Sequence, residues 1–259
     1  MLNDDITTSI ATQQAWNAIN GYFDKVYVVS LRRATDRQSR FSKLLAGLNY
    51  EIWWAVDKDD IDPAHMIQQG LLDDVTRQQP RYVHNKALAT GEIACALSHR
   101  AIYDEVIRES YERVLIFEDD VVPFFDQLHH TADILNQLPD QWDLAYLGYT
   151  KNEELNAKQS RKQWFYNLIS PLGLLRWSRR EASNYLPRPY SPNLRRAGLH
   201  DCTHAYAVTR AGAEKLRQAQ TPLLASADSI ISVLTLNNQL DAYVSVPVLF
   251  GQEGASYIF

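Results

Sequence analysis

The chain has 259 residues, of which 46% are hydrophobic and 22% charged, with a net charge of −5. That length can bury one large core or two small ones, and the composition is that of an ordinary globular protein. The acidic balance argues against general nucleic-acid binding, and no run of about 18 apolar residues is present to span a membrane.

The first 20 residues are acidic and polar where a secretory signal would be basic and then apolar, which predicts a cytoplasmic location. Cys95 and Cys202 lie far apart and in no CxxC arrangement, a pattern that favours free, mostly buried thiols. Residues 1–24 read as an N-terminal helical extension, with Ile6, Ile10, Trp16 and Ile19 in a helix over 5–19 and Gly21 ending it. Residues 25–31 (KVYVVSL) form a strong first strand. A basic turn and a helix with Phe41, Leu44, Leu45 and Leu48 follow. Arginine forks at such a turn suit phosphate, although on this stretch alone Arg33 and Arg37 read more readily as surface arginines on a helix. Residues 51–57 (EIWWAVD) form a second strand ending in Asp57, which either reaches a ribose hydroxyl or caps the next turn.

Residues 58–86 are polar and read as short helices and loops. A helix from Thr90, the expected N-cap, to about Ser110 packs Ile93, Leu97, Ala101 and Val106 on a sheet. Ser98 and His99 have no evident packing role in that pattern, but a lone helical histidine is more often structural than catalytic.

The stretch 114–123 (VLIFEDDVVP) organises the rest. Four apolar residues make a buried strand, three acids follow, and Pro123 closes it. Neighbouring carboxylates repel, and a divalent cation relieves them. Carboxylate oxygens suit Mg²⁺ or Mn²⁺, which bind one or two carboxylates plus a phosphate. Glu118, Asp119 and Asp120 therefore read as a metal–diphosphate site at the C-terminal edge of a sheet, against an alternative of a solvated acidic turn. A helix over about 125–138 and a strand over 143–149 continue the strand–helix alternation, which predicts an α/β fold with a mostly parallel sheet flanked by helices.

Residues 158–196 carry nine cations against one acid, a net of +8, leaving −13 for the rest. Their aromatic residues and leucines, with Arg176, Trp177, Arg179 and Arg180 at the centre, suit an anionic membrane surface or a lipid-linked substrate. The prolines there predict loop rather than one long helix. His200 and His204 are spaced for a helical pair but lie on a strand, so a shared zinc site is disfavoured; His204 is the better partner to complete a divalent site opposite Asp120. Asp228 heads an apolar helix, as an N-cap or as a general base.

Taken in order, YVVSL-RRATDR, WWAVD, GEIACALSH, VLIFEDD, WDLAYLG, THAYAVTRAGAEKL, ADSII and VPVL-Q-S-I resemble glycosyltransferase family 25, collinearly from about Val26 to Ile258. The family comprises lipooligosaccharide and lipopolysaccharide sugar transferases and relatives that galactosylate collagen. The resemblance implies a GT-A-like domain over 25–259, a nucleotide-sugar donor (often UDP-galactose) and inversion at the anomeric carbon. It implies that Glu118, Asp119 and Asp120 take the place of the DxD-type motif that holds Mn²⁺ against the diphosphate. Ser30, Arg33 and Arg37 match the first donor motif, Ser98 and His99 the helix motif near it, and Asp228 the late acid. The motif opens with Glu rather than Asp, and the basic insert at about 158–196 matches no family motif. The expected protein is a peripheral enzyme at the inner membrane face acting on a lipid-linked oligosaccharide, with Asp228 as base. A carbohydrate- or lipid-binding protein on the same fold is the alternative. A nucleotidyltransferase is disfavoured because no glycine follows the first strand.

Overall fold

The computed structural model describes residues 9–73, 88–152, 157–172 and 177–253. Helix α1 (Ile10–Tyr22) is followed by β1 (Lys25–Ser30), α2 (Thr35–Leu44), β2 (Glu51–Trp54), α3 (Pro63–Gln68) and α4 (Thr90–Glu109). Then come β3 (Arg113–Glu118), β4 (Val121–Pro123), α5 (Thr131–Gln137), β5 (Leu144–Thr150) and α6 (Ala157–Ile169). The chain continues through α7 (Arg179–Ser183), β6 (Arg188–Ser191), β7 (Leu194–Arg196) and β8 (Asp201–Thr209). It ends with α8 (Arg210–Ala219), α9 (Ala227–Leu236), β9 (Ala242–Ser245) and β10 (Phe250–Gln252).

Eight strands make one sheet in the order β2-β1-β3-β8-β5-β9-β7-β6. Six of them point the same way; β8 and β7 run against the rest. The α/β class and the mostly parallel sheet flanked by helices are as the sequence predicts. Strand residues alternate between two cores, one on each face. Leu115 and Phe117 pack with Trp16, Phe41 and Phe250, whereas Val114 and Ile116 pack with Tyr103, Tyr206, Leu216 and Ile231. Burial on both faces is why β3 reads as an unbroken apolar run.

Several local expectations change. Residues 5–8, part of the predicted first helix, lie outside the described residues, and α1 runs to Tyr22, past Gly21. Trp16 and Ile19 are fully buried in the main core, so α1 is built into the domain. Ala89 occupies the N-cap of α4 instead of Thr90, and the Glu92 carboxylate accepts the Ala89 N–H at 2.7 Å. Among its described residues the basic insert holds helices α6 and α7 and strands β6 and β7. Its Pro189 sits on β6, at the sheet edge, where a missing N–H costs no ladder bond, and Pro192 falls in the β6–β7 turn.

The separate pair β4 and β10 is antiparallel and sets Gln252 opposite Val121. This places the C-terminal strand against the acidic end of β3. Cys95 and Cys202 are both free thiols. Among the described residues no helix is long and apolar enough to cross a membrane.

Candidate active site

A cleft open to solvent lies at the C-terminal ends of β1 and β3 beside α4. Ser30, Arg33, Arg37, Ser98, His99, Glu118, Asp119 and Asp120 all line it. The parallel β1–β3 ladder pairs Val29 with Glu118, so Ser30 and Asp119 leave their strands side by side. Ser30 Oγ donates to Asp119 Oδ2 at 2.8 Å, and Arg37 Nη1 donates to Asp119 Oδ1 at 2.7 Å and stands 3.7 Å from Asp120 Oδ2. Two acids are thus held buried by one guanidinium and one hydroxyl.

Asp120 is 3% exposed. Gln252 Nε2 donates to its Oδ2 at 2.9 Å, while Oδ1 has no hydrogen-bond partner among the described residues. Burial, then the charge of Glu118, push the Asp120 carboxyl up to about 6, with Gln252 and Arg37 opposing. Burial also acts to raise Glu118, but the His99 contact and the Thr203 hydroxyl outweigh it and hold Glu118 below its usual range. Thr203 Oγ1 donates to Glu118 Oε1, and His99 Nε2 stands 3.5 Å from the same oxygen. His99 Nδ1 meets the Tyr206 hydroxyl at 2.8 Å, which in turn meets the Tyr103 hydroxyl at 2.8 Å.

The other expected residues fall into place less uniformly. Arg33 pairs with Asp57, with Asp59 at 3.6 Å. Asp57 also caps the short turn after β2 by accepting the Asp59 N–H at 3.1 Å. Ser98 has a clear structural task, which the sequence reading did not give it. Its Oγ accepts the Val56 N–H at 2.9 Å and donates to the Ala94 carbonyl at 2.7 Å, tying α4 to the end of β2. His204 is fully buried and meets the Phe250 carbonyl through Nε2 at 3.1 Å, leaving Nδ1 without a partner among the described residues. His200 spends both nitrogens on backbone, Nδ1 with the Lys151 carbonyl and Nε2 with the Gly198 N–H.

Asp228 lies in the first turn of α9, and Ser226 holds the N-cap position that the sequence had offered to Asp228. Asp228 Oδ1 accepts from Ser226 Oγ and the Ser229 N–H, each at 2.7 Å. Asp228 does not line the cleft, but burial and then the charges of Glu118 and Asp228 raise the Cys95 thiol, so it is in electrostatic reach.

A family model described as glycosyltransferase family 25 (LPS biosynthesis protein) matches residues 23–231, which include every residue named as lining the cleft. The chain belongs to glycosyltransferase family 25. A glycosyltransferase 25 family member from Anopheles gambiae is 27% identical over 85% of this chain and 33% of its own length. The human inactive glycosyltransferase 25 family member 3 is 32% identical over 76% of this chain and 29% of its own. Human procollagen galactosyltransferase 2 is 29% identical over 54% and 22%. The matched region spans about a third or less of each of these relatives. Mouse xyloside xylosyltransferase 1, among solved structures, aligns over 91% of this chain and 80% of its own at 10% identity, with a TM-score of 0.39 too low to bear on fold or activity.

In this family 25 chain the insert departs from expectation in which residues it exposes. Arg176 lies outside the described residues. Trp177 is 8% exposed and packs with Tyr185, Leu186, Leu199 and Leu236, so it is not a surface anchor. Arg179 and Arg180 are exposed, Arg180 reaching the Asn237 carbonyl at 3.4 Å. Among the described residues of the insert, Trp164, Phe165 and Leu168 on α6 and Leu172 just beyond it are each at least 50% exposed, with Tyr190 at 43%. Thr203 and Gln252 fall inside motifs that carry the family resemblance, but the sequence assigns neither a role. Each reaches the acids through long-range pairing, Thr203 through β8 with β3 and Gln252 through β10 with β4.

Proposed function

We propose that this chain transfers a hexosyl group, galactose or a close relative, from a UDP-sugar to a hydroxyl of a lipooligosaccharide or lipopolysaccharide core, by a single inverting displacement. The observation that carries the reading is the buried Asp120 Oδ1, unpartnered among the described residues, beside Asp119, Glu118 and the cation Arg37. A buried anionic oxygen with no donor fits a divalent cation, so Asp119 and Asp120 are the residues that would hold Mn²⁺ or Mg²⁺. When bound, the ion supplies positive charge beside the leaving diphosphate. Arg37 and Arg33 flank that position and suit the diphosphate oxygens, and Asp57 suits a ribose hydroxyl. Ser30 keeps Asp119 aimed at the cleft. Asp228 takes the acceptor proton; Oδ1 is engaged by Ser226 and Ser229, which leaves Oδ2 for the hydroxyl. Holding donor and acceptor together supplies much of the remaining rate advantage.

The acceptor is read from the basic insert and from the family's description, and a cytoplasmic, membrane-peripheral location goes with it. Exposed Trp164, Phe165, Leu168 and Leu172 beside Arg161 and Lys162 suit an anionic lipid surface. A second reading, a glycan- or lipid-binding protein without turnover, is favoured by relatives named as inactive.

Thermal stability against UDP, other nucleotides and their sugars, with and without Mn²⁺, separates the two. Binding to the folded state raises the midpoint by mass action. A Mn²⁺-dependent rise with UDP or one UDP-sugar, lost in Asp120→Ala, is the expected result and names the donor. No rise with any nucleotide, from a folded sample, overturns the transferase reading.

A further inference from the structure

We propose that Cys95, His99 and Glu118 form a binding site for a thiophilic divalent cation of the Zn²⁺ class, separate in its chemistry from the carboxylates Asp119 and Asp120. Cys95 and His99 are four apart on α4, so the helical repeat sets them on one face. Glu118 ends β3 opposite that face. A ligand atom from each of the three lies within 4.8 Å of the other two. Ligands at 2.0–2.3 Å from a tetrahedral ion stand about 3.3–3.8 Å apart, so small side-chain rotations complete the set.

An independent observation points the same way. His99 is fully buried, its Nδ1 engaged by the Tyr206 hydroxyl, yet Nε2 has no hydrogen-bond partner among the described residues. Buried polar atoms are nearly always satisfied, and an exception asks for a partner. In the tautomer that donates Nδ1–H to Tyr206, Nε2 presents a lone pair to the cluster, 3.5 Å from Glu118 Oε1, and an ion between them takes the place of a proton. The Tyr206–Tyr103 hydroxyl pair fixes the ring, which is the outer support that metal-binding histidines carry.

Softness selects the ion. A thiolate, an imidazole and one carboxylate suit Zn²⁺ and its d-block neighbours, whereas Mg²⁺, Ca²⁺ and Mn²⁺ prefer sets of oxygens. Three protein ligands leave one tetrahedral position open, as in catalytic zinc centres, and all three residues line the cleft. An oxygen of a bound substrate fits that position. The site stands whether or not the chain proves to be a transferase, because nothing in it depends on a nucleotide.

The test is a Co²⁺ titration of chelator-stripped protein. A near-ultraviolet thiolate-to-cobalt charge-transfer band is expected at one ion per chain. It should be displaced by Zn²⁺, lost in Cys95→Ser and His99→Gln, and kept in Cys202→Ser. No band, or a band that survives Cys95→Ser, overturns the proposal. Wild-type protein provides a second measure that does not depend on how Cys95→Ser folds: mass-spectrometric mapping of iodoacetamide labelling. Zn²⁺ is expected to slow labelling of Cys95 about tenfold or more relative to Cys202, because a ligated thiolate is withheld from the electrophile. Equal slowing of both, or none, overturns it.

Discussion

Ser30 donates its hydroxyl to Asp119 at 2.8 Å although 89 positions separate them, and Arg37 grips the opposite oxygen of the same carboxylate. The pairing is a consequence of parallel register: β1 and β3 end level, and each delivers one polar residue to the same edge. Arg37 is the only one of the two that also reaches Asp120, at 3.7 Å. Removing it strips the counter-charge from two buried acids and a ligand for diphosphate from the cleft. A hydrogen bond to a charged group is worth about 1.5–3 kcal/mol. Arg37→Ala is therefore expected to weaken UDP binding by about tenfold or more in calorimetry and to lower the melting midpoint. Unchanged affinity with a lowered midpoint would confine Arg37 to a structural counter-ion.

Asp120→Asn should separate stability from binding. Burial and Glu118 raise the Asp120 carboxyl to about 6, so at neutral pH the folded protein carries an ionised group that its surroundings oppose. The ordinary value is near 3.9; stability falls as pH rises from there through about 6, and each pH unit is worth about 1.4 kcal/mol. Neutral asparagine removes that penalty. The metal-free variant is expected to melt higher than wild type at pH 7, by an amount that shrinks towards pH 4, and to lose the Mn²⁺-dependent nucleotide shift. A variant that melts lower at pH 7 would mean that ionised Asp120 is stabilising.

The α/β class, both faces of β3 and the acidic strand end were legible because each is local. An apolar run buried on both faces followed by three acids needs no knowledge of the neighbours. The insert was misread for a physical reason. Prolines mark loops in a sequence, but an edge strand tolerates them, and β6 lies at the edge of the sheet. Trp177 was read as a surface anchor because it sits among arginines, yet it is the buried end of a small cluster. The roles of Thr203 and Gln252 were out of reach. Thr203 meets Glu118 because β8 enters the sheet antiparallel beside β3, and Gln252 meets Asp120 because β10 pairs with β4, and hydropathy encodes neither order.

Gly148 lets β5 approach His204 and the β10 backbone closely. A Cβ there would lie 2.5 Å from the Phe250 carbonyl oxygen and 2.5 Å from His204 Nε2. One of those is backbone, so the clash cannot be relieved by a rotamer change, and Phe250 begins the strand that carries Gln252 to Asp120. Gly148→Ala is expected to cost about 3 kcal/mol. At about 2–4 °C per kcal/mol that is a fall of about 6–12 °C in melting midpoint, measured by calorimetry. A fall under about 2 °C would show that β10 moves freely away from β5.

His200 makes stability depend on pH in the opposite sense to Asp120. It is 1% exposed, and burial pushes its imidazole down to about 4 against the raising effect of the Lys151 carbonyl. In the unfolded chain it titrates near 6.5. Above that value neither state is protonated and its full contribution is present. Between 6.5 and 4 only the unfolded chain takes up the proton, so stability is lost as pH falls, by about 3 kcal/mol in all. Urea unfolding of wild type and His200→Asn at pH 7, 6 and 5 reads the difference in slope, which a uniform packing loss leaves unchanged. Parallel slopes would mean that His200 is protonated in the folded protein.

The outer face of α6 decides whether the insert meets lipid. Trp164, Phe165 and Leu168 fall within five positions on a helix with no buried residue, and Leu172 follows at 68% exposure. Residues so exposed contribute little to folding, so serine at 164, 165 and 168 together should leave the melting midpoint within about 2 °C of wild type. The apolar area they offer is instead free for an acyl boundary, and Arg161 and Lys162 on the same helix, with Arg179 and Arg180 on α7, supply charge for anionic headgroups. Each cation near such a surface is worth about 1 kcal/mol, or about fivefold in affinity. Sedimentation with phosphatidylglycerol vesicles is expected to fall about tenfold or more in the triple serine variant, and in Arg179→Glu with Arg180→Glu. It should weaken as salt rises in wild type, since screening acts on the headgroup term. Equal vesicle binding by wild type and both variants would detach α6 from the membrane and leave its apolar face to a protein partner.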